Sequence, residues 1–411
     1  MSAKSPKGSK IIRICCQKEE YYSALNDSQK FKQLLDQEII IYPELFPEGI
    51  SKGYTLDGKT DPSKKLDKQQ FQKIKLCSNG ERYSIYPSFV MPNMIAYTDE
   101  VEKALFFRKF SAPYSALVYA FGKDEMYWYR AEKSFSPCSI VGTTIKKKEK
   151  LPEHSASDEK HGKINGSKVY IAMTVANGCI LGAEVTPEAN EKELTKGYGV
   201  FAEESRNLDP TYTPTTVNID GWEATKLSMK ALFFGITIIR CFLHAFIKIR
   251  DCCKKHVLFE VICEKIWYVY KSKNKKTFSQ RLRRLKDWAV NKLSGTTALE
   301  NIEKTYQRSK EYQIAYDHPE CHRTSNMCDR LMRFIDRALF DRQNFHGTIQ
   351  SATEMSHSWA ILHNYYPHRM RDTINKTNVL SCPASDLNGF TYSNNWLNNL
   401  VTASSMNGYR Q

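Results

Sequence analysis

The sequence predicts a mixed α/β fold of the α+β kind, in which a five-stranded sheet is followed by a long all-helical segment. Three observations predict it. Two β-rich runs, residues 168–175 and 179–185, meet at Asn177-Gly178, a strong two-residue hairpin signal. Two further apolar runs, residues 215–220 and 236–241, flank a helical pattern at 223–232, as crossover-connected strands do. From His244 to about Tyr316 apolar residues recur at helical spacing, as at Phe278, Leu282, Leu285, Trp288 and Leu293.

The elements follow in order. Residues 1–10 are rich in Ser, Lys and Gly and predict disorder. Residues 1–95 as a whole give no clear fold; Pro87, Pro92 and nearby aromatics suggest an irregular packed segment. Residues 96–137 predict three helices, the second ended by Gly122 and the third opening at Lys123-Asp124-Glu125 and carrying Arg130. A helix, a Phe-Gly turn and a basic, aromatic helix form a helix-turn-helix pattern. A plain helical hairpin packed on a neighbour has the same pattern. Residues 138–152, with Lys146-Lys147-Lys148 and Leu151-Pro152, read as a linker whose charges are solvated or touch phosphate.

The tight turn at Asn165-Gly166 requires a strand before it, at about 156–164, completing a three-stranded meander. Residues 187–206 predict a helix with a Gly-rich interruption. Residues 153–243 and 320–367 are expected to form the core, with 244–319 as a helical insertion. Helices are expected around Met327–Ala338 and Ala352–Asn364, and the Asn/Ser-rich tail, 368–411, is expected to be weakly structured.

Sixty Lys and Arg against 45 Asp and Glu give a net charge of +15, an excess that suits a polyanionic partner. Twelve scattered cysteines without a CxxC pair point to a reducing compartment rather than a disulfide framework. The most apolar stretch, 231–249, contains Arg240, His244 and Lys248, too many ionisable groups for a membrane span. The start lacks the long apolar run of a signal peptide. An intracellular site is expected: cytoplasm or nucleoid in a bacterial host, nucleus in a eukaryotic one.

Several motifs carry the chemistry. The order of three antiparallel strands, then helix, strand, helix, strand, resembles the ribonuclease-H-like fold. Asp158-Glu159-Lys160-His161, followed by Gly166 and Val169-Tyr170, resembles the first-strand motif of DDE/D transposases. Asn218-Ile219-Asp220-Gly221-Trp222 resembles their second motif, an aspartate at a strand end followed by glycine. Cys241-Phe242-Leu243-His244, starting 21 positions after Asp220, resembles the CxxH motif of Mutator-like and hAT-like transposases. Asn326-Met327-Cys328-Asp329-Arg330 resembles the helix that bears the third acid. The 109-position gap between Asp220 and Asp329 fits the helical insertion of those families. The segment around Gly122 likewise resembles a helix-turn-helix stretch common in transposases and repressors.

The resemblance implies a DNA transposase in which Asp158, Asp220 and Asp329 are catalytic and hold two Mg²⁺ ions, with Mn²⁺ as a substitute. Mg²⁺ prefers carboxylate oxygen and water, and two ions roughly 3.5–4 Å apart can activate the attacking oxygen and stabilise the leaving one. Cys241 and His244 would support the site. A zinc site combining them with Cys252, Cys253 or His256 lacks a second properly spaced pair. Asp336 and Glu354 rival Asp329, which also stands at i,i+4 from Arg333 as in an ordinary helix salt bridge. A third Asp rather than Glu departs from the usual pattern and demands a closer helix. Lys123, Arg130, Lys248, Arg283, Arg284, Arg330 and Arg333 are candidate DNA contacts. The implied partners are double-stranded DNA, as transposon terminal repeats and as target, and further copies of the chain, since two ends must be held together. A catalytically silent DNA-binding derivative and a nuclease that only hydrolyses are the alternatives.

Overall fold

A computed structural model of the chain describes residues 10–368 and 381–408. The expected disordered start therefore lies outside the described residues, apart from Lys10.

The N-terminal region departs from expectation. It opens with β1 (Ile11–Ile14), α1 (Lys18–Leu25) and α2 (Ser28–Ile41), followed by β2 (Tyr54–Lys59), β3 (Gln72–Leu76) and β4 (Arg82–Pro87). The strands form a four-stranded sheet in the order β1-β4-β3-β2, with β1 parallel to β4, not an irregular segment.

Three helices follow as predicted: α3 (Thr98–Arg108), α4 (Tyr114–Phe121) and α5 (Glu125–Lys133). Trp128, Ala131 and Glu132 of α5 are buried, while Lys123, Met126 and Arg130 face solvent. The buried guanidinium of Arg108 donates to Glu132 at 3.1 Å and to Asp341 at 2.9 Å. The indole of Trp359 donates to Glu132 at 3.0 Å. A buried charge persists only when paired, so these contacts anchor the three helices to the rest of the chain.

The first part of the expected linker is instead core, while Lys147 and Lys148 are exposed as solvated charges are. Its helix α6 (Ile140–Thr144) is buried at every position. Lys146 is not a solvated charge; it donates to Gly142 O at 2.7 Å and to Ala403 O at 2.5 Å.

The second sheet contains β5 (His154–Ile164), β6 (Ser167–Ala176), β7 (Cys179–Thr186), β8 (Thr216–Ile219) and β9 (Thr237–Arg240), in the order β7-β6-β5-β8-β9. The first three strands are antiparallel; β8 is parallel to β5 and β9 to β8. Asn165-Gly166 and Asn177-Gly178 have positive φ at both positions, as a type I′ turn requires. Between β7 and β8 runs α7 (Glu191–Leu208), and between β8 and β9 runs α8 (Glu223–Leu232). The expected Gly-rich break in α7 is absent, and the reason is packing. A Cβ on Gly197 would stand 2.9 Å from Ala172 and Thr186, so the glycine lets α7 lie close on the sheet.

The helical segment comprises α9 (Phe242–Cys252), α10 (Phe259–Tyr270), α11 (Lys275–Lys292), α12 (Thr297–Gln307) and α13 (Ser309–Gln313). It has its own hydrophobic core, centred on Phe242, Ile262, Phe278, Leu282 and Ile302. The chain returns to the sheet through α14 (Asn326–Asp341) and α15 (Ile349–Tyr365).

The tail from residue 381 corrects another expectation. It forms α16 (Pro383–Asn388) and α17 (Trp396–Ala403), with Leu397, Leu400 and Val401 fully buried. Its polar residues are caps: the Asn395 side chain accepts from the backbone N–H groups of Leu397 and Asn398.

The five-stranded sheet is covered on both faces. Ala172, Val217 and Ile219 pack with α7 and α8. Ala156, Ile171 and Met173 pack with α14 and α15, in a core shared with the N-terminal sheet and α3–α5. Among the described residues no helix is long and apolar enough to cross a membrane.

Candidate metal centre

Strand register brings the first two acids together. Ala156 pairs with Asn218 across the parallel β5–β8 ladder. Continued two residues further, that register carries Asp158 and Asp220 to the same level, close enough for each charge to act on the other, and the period of two puts both on the α14 face. Arg240 of β9 pairs with Ile219 of β8, and Cys241 N donates to Ile219 O at 2.7 Å. Cys241 thus follows directly on β9 at the N-cap of α9, and His244 sits in the first turn of that helix. The centre lies beyond the carboxyl ends of β8 and β9, where open α/β sheets leave a crevice.

The third acid arrives on α14. The loop before this helix is tied to the strand ends: Asn218 donates through Nδ2 to His322 O at 2.8 Å, and Phe242 N donates to Arg323 O at 3.3 Å. Lys160 on β5 pairs with Asp336 at 2.5 Å, fixing α14 along the sheet. Ligand-capable atoms of Asp158, His244 and Asp329 all lie within 4.8 Å of one another. Asp336 and Glu354 are held elsewhere, the latter by Lys133 at 2.6 Å. Among the described residues no ion pair joins Asp329 to Arg333.

Asp220 stands beside this group but not within it. One of its oxygens accepts from Trp222 N at 2.6 Å, an Asx turn that opens the loop into α8. It still acts on the site electrically. Burial raises the Asp158 carboxyl to about 6, and the charges of Asp220 and Asp329 add to the rise against the opposing pull of His244. His244 Nε2 stands 3.9 Å from Asp158 Oδ2. Burial disfavours a charged imidazole, but the Cys241 thiol, Asp158 and Asp220 outweigh it and lift His244 to about 9. Burial likewise opposes a thiolate at Cys241, and His244 and Ser325 overcome it, leaving the thiol below its ordinary value.

Ser325 is a component the sequence reading missed. It is fully buried and precedes α14 at the N-cap position, yet its hydroxyl makes no cap hydrogen bond. It lies 3.3 Å from Cys241 Sγ and 3.4 Å from His244 Nδ1, and donates to Asp329 Oδ2 at 3.4 Å. Its backbone N–H donates to Cys241 Sγ at 3.1 Å. A serine four residues before the third acid is the available signal, but it reads as an ordinary cap.

Glu159, next to Asp158, faces the other side of the sheet. It accepts from Tyr198 OH and Thr225 Oγ1, both at 2.6 Å, and burial raises it to about 7. Its partners are structural hydroxyls.

The donor set fits a hard divalent ion. Clustered carboxylates suit Mg²⁺ or Mn²⁺, and a neutral His244 would add nitrogen, which first-row transition metals accept more readily. Among the described residues, no metal-capable group combines Cys241 with Cys252, Cys253 or His256.

The candidate DNA contacts are dispersed. Lys248, one turn beyond His244, is exposed and lines a pocket of about 220 Å³ with Asp220 and His244. Arg330 lines another, of about 370 Å³, with Tyr270 and Arg323 at the start of α14. Arg333 is exposed on α14. Arg283 and Arg284 are exposed on α11, with Arg283 3.9 Å from Asp287. Arg130 lines a separate pocket of about 680 Å³ with Lys65 and Tyr127, and Lys123 lies at the α4–α5 turn. Lys123, Arg130, Arg283 and Arg284 do not line the pocket beside Asp220.

No protein-family model matches the chain, and no curated protein matches it.

Proposed function

We propose that the protein is a metal-dependent phosphodiester-transfer enzyme of the DNA transposase kind, built on a ribonuclease-H-like sheet. The observation that carries this reading is the convergence of Asp158, His244 and Asp329 within 4.8 Å, beside Asp220, from three elements far apart in sequence. The strand order β7-β6-β5-β8-β9, the long helical segment after β9 and the net charge of +15 support it.

Asp158 and Asp329 would hold a divalent ion, with Asp220 adjoining a second position. Bound Mg²⁺, or Mn²⁺ in its place, supplies charge neutralisation at a phosphodiester and lowers the pKa of water. The residues do the rest. Asp158 sits mid-strand on β5, paired with Met173 of β6, so the ladder holds its backbone in place. Ser325 orients Asp329 and the His244 ring. As an imidazolium, His244 balances the clustered acids and offers a donor to a phosphate oxygen. DNA ends would reach the site by binding the exposed side of α4–α5 in a helix-turn-helix manner, and a dimer or larger assembly would hold two ends.

The test is cleavage of a supercoiled plasmid carrying the element's ends, with Mg²⁺, Mn²⁺ or EDTA. The reading expects metal-dependent nicking and joined strand-transfer products, both lost in Asp158→Ala and Asp220→Ala. Cleavage that persists in these variants removes the metal assignment. Nicks without joined products favour a hydrolytic nuclease, and binding without nicks a silent derivative.

A further inference from the structure

The pocket beside Asp220 has one wall from the core and another from the helical segment. Asp220 and Arg240 come from the strand ends, His244 and Lys248 from α9, and Lys304 and Arg308 from the end of α12. His244 and Lys248 are four residues apart on one helix, as are Lys304 and Arg308, so each pair shares a face.

The cations differ in availability. Arg240 is occupied: its guanidinium pairs with Glu311 at 2.6 Å and lies against Gly221, where a Cβ would come within 2.4 Å of it. It works as a strut between β9 and α13. Lys248, Lys304 and Arg308 are exposed, and among the described residues none of them is in an ion pair. Three unpaired cations from two helices thus converge on a small concave site bordered by an acid of the candidate metal centre. Asp220 is the one acid lining the same pocket, so the cations outnumber the acid there and the site favours an added anion. A pocket of about 220 Å³ admits a single group from a strand, not a folded partner.

We infer that Lys248, Lys304 and Arg308 form a phosphate-binding subsite that grips a backbone phosphate of the polynucleotide strand next to the bond being cut. The helical segment would then be part of the substrate site and not merely a spacer between Asp220 and Asp329. The inference rests on the polynucleotide reading above.

The experiment is fluorescence anisotropy of a short labelled DNA duplex with the full chain, in EDTA so that catalysis plays no part, at salt between about 50 and 200 mM. The wild type is compared with Lys248→Gln/Lys304→Gln/Arg308→Gln and with a charge-matched control in the N-terminal sheet region, Lys52→Gln/Lys59→Gln/Lys75→Gln. Each neutralised phosphate contributes about one to the slope of log K against log salt, so the pocket variant, which loses one phosphate contact, should lose about one and the control much less. The single variant Lys304→Gln should weaken low-salt binding and lose a fraction of that slope, while Lys52→Gln alone leaves both unchanged, which keeps the test intact if the triple variant folds poorly. Equal slopes in wild type and pocket variant overturn the subsite and leave the polynucleotide reading standing, as does an equal loss in the control. A wild type that does not bind the duplex at low salt overturns both.

Discussion

Asp158 and Glu159 are neighbours on one strand, and the two faces of the sheet treat them differently. Glu159 points toward α7 and α8, where two hydroxyls satisfy it among apolar side chains. Asp158 points toward α14, where its neighbours are two more carboxylates and a histidine. Burial raises both acids and the Asp220 charge adds to both, but the opposing partners differ: hydroxyls for Glu159, His244 for Asp158. On the α7 face two hydroxyls donate to one oxygen of the acid; on the α14 face a third carboxylate, Asp329, adds its charge. A structural site closes on itself, whereas clustered acids with a single histidine to balance them gain from a further cation.

The largest effect should come from breaking the α14 face. Asp158→Asn keeps the shape and removes the charge. Metal-dependent DNA cleavage should fall by at least about 100-fold, since metal stabilisation is worth several kcal/mol, while the melting temperature holds or rises. Asn at 158 that cleaves at the wild-type rate would mean the two faces are functionally alike.

The converse substitution is Glu159→Ala. It strands two buried hydroxyls and should cost about 1–3 kcal/mol of stability by denaturant unfolding, with cleavage per folded molecule kept. A folded, stable Glu159→Ala protein that has lost cleavage would put catalysis on the wrong face. Gly221→Ala should cost a similar amount, about 1–3 kcal/mol, because φ is +93° and the added methyl meets the Arg240 guanidinium. Unlike Glu159→Ala, it should also impair cleavage, because Gly221 adjoins Asp220.

The smallest effect is in pH. A carboxyl raised to about 6 is protonated below that value, so Asp158 is a ligand above it and is lost as pH falls through it. Mn²⁺ affinity measured by calorimetry should weaken between about pH 7.5 and about pH 5, with proton release on binding near pH 6. Affinity that is flat across this range would mean that Asp158 is not a ligand.

Much of the second sheet could be read from the sequence because its signals are local. Asn165-Gly166 and Asn177-Gly178 demand tight turns, and alternating apolar residues supply the strands between them. The first sheet was not legible. β1 has four residues and pairs with β4, some seventy positions away, and β2 is largely exposed, so neither carries a period. The tail and the expected linker misled for one reason: polar residues read as solvated are in fact caps and donors. Asn395 caps α17, and Lys146 satisfies the carbonyls of Gly142 and Ala403.

The site was partly legible. The residue types and order of Asp158, Asp220, His244 and Asp329 mark them as candidates, but their mutual distances depend on register and helix placement. Asp220, the most conspicuous in sequence, lies outside the tight group, with one oxygen engaged by Trp222 N–H. Ser325, Lys304 and Arg308 carry no sequence signal that separates them from an ordinary cap and ordinary surface charges; only topology brings them to the centre.

The claim that the α14 face is a metal centre is tested most directly by Mn²⁺ binding, followed by electron paramagnetic resonance, in the wild type, Asp158→Asn, Asp329→Asn and Glu159→Gln. The account predicts that wild type and Glu159→Gln bind and that both aspartate variants lose the bound-ion signal while remaining folded. Undiminished Mn²⁺ binding by Asp158→Asn and Asp329→Asn would contradict it.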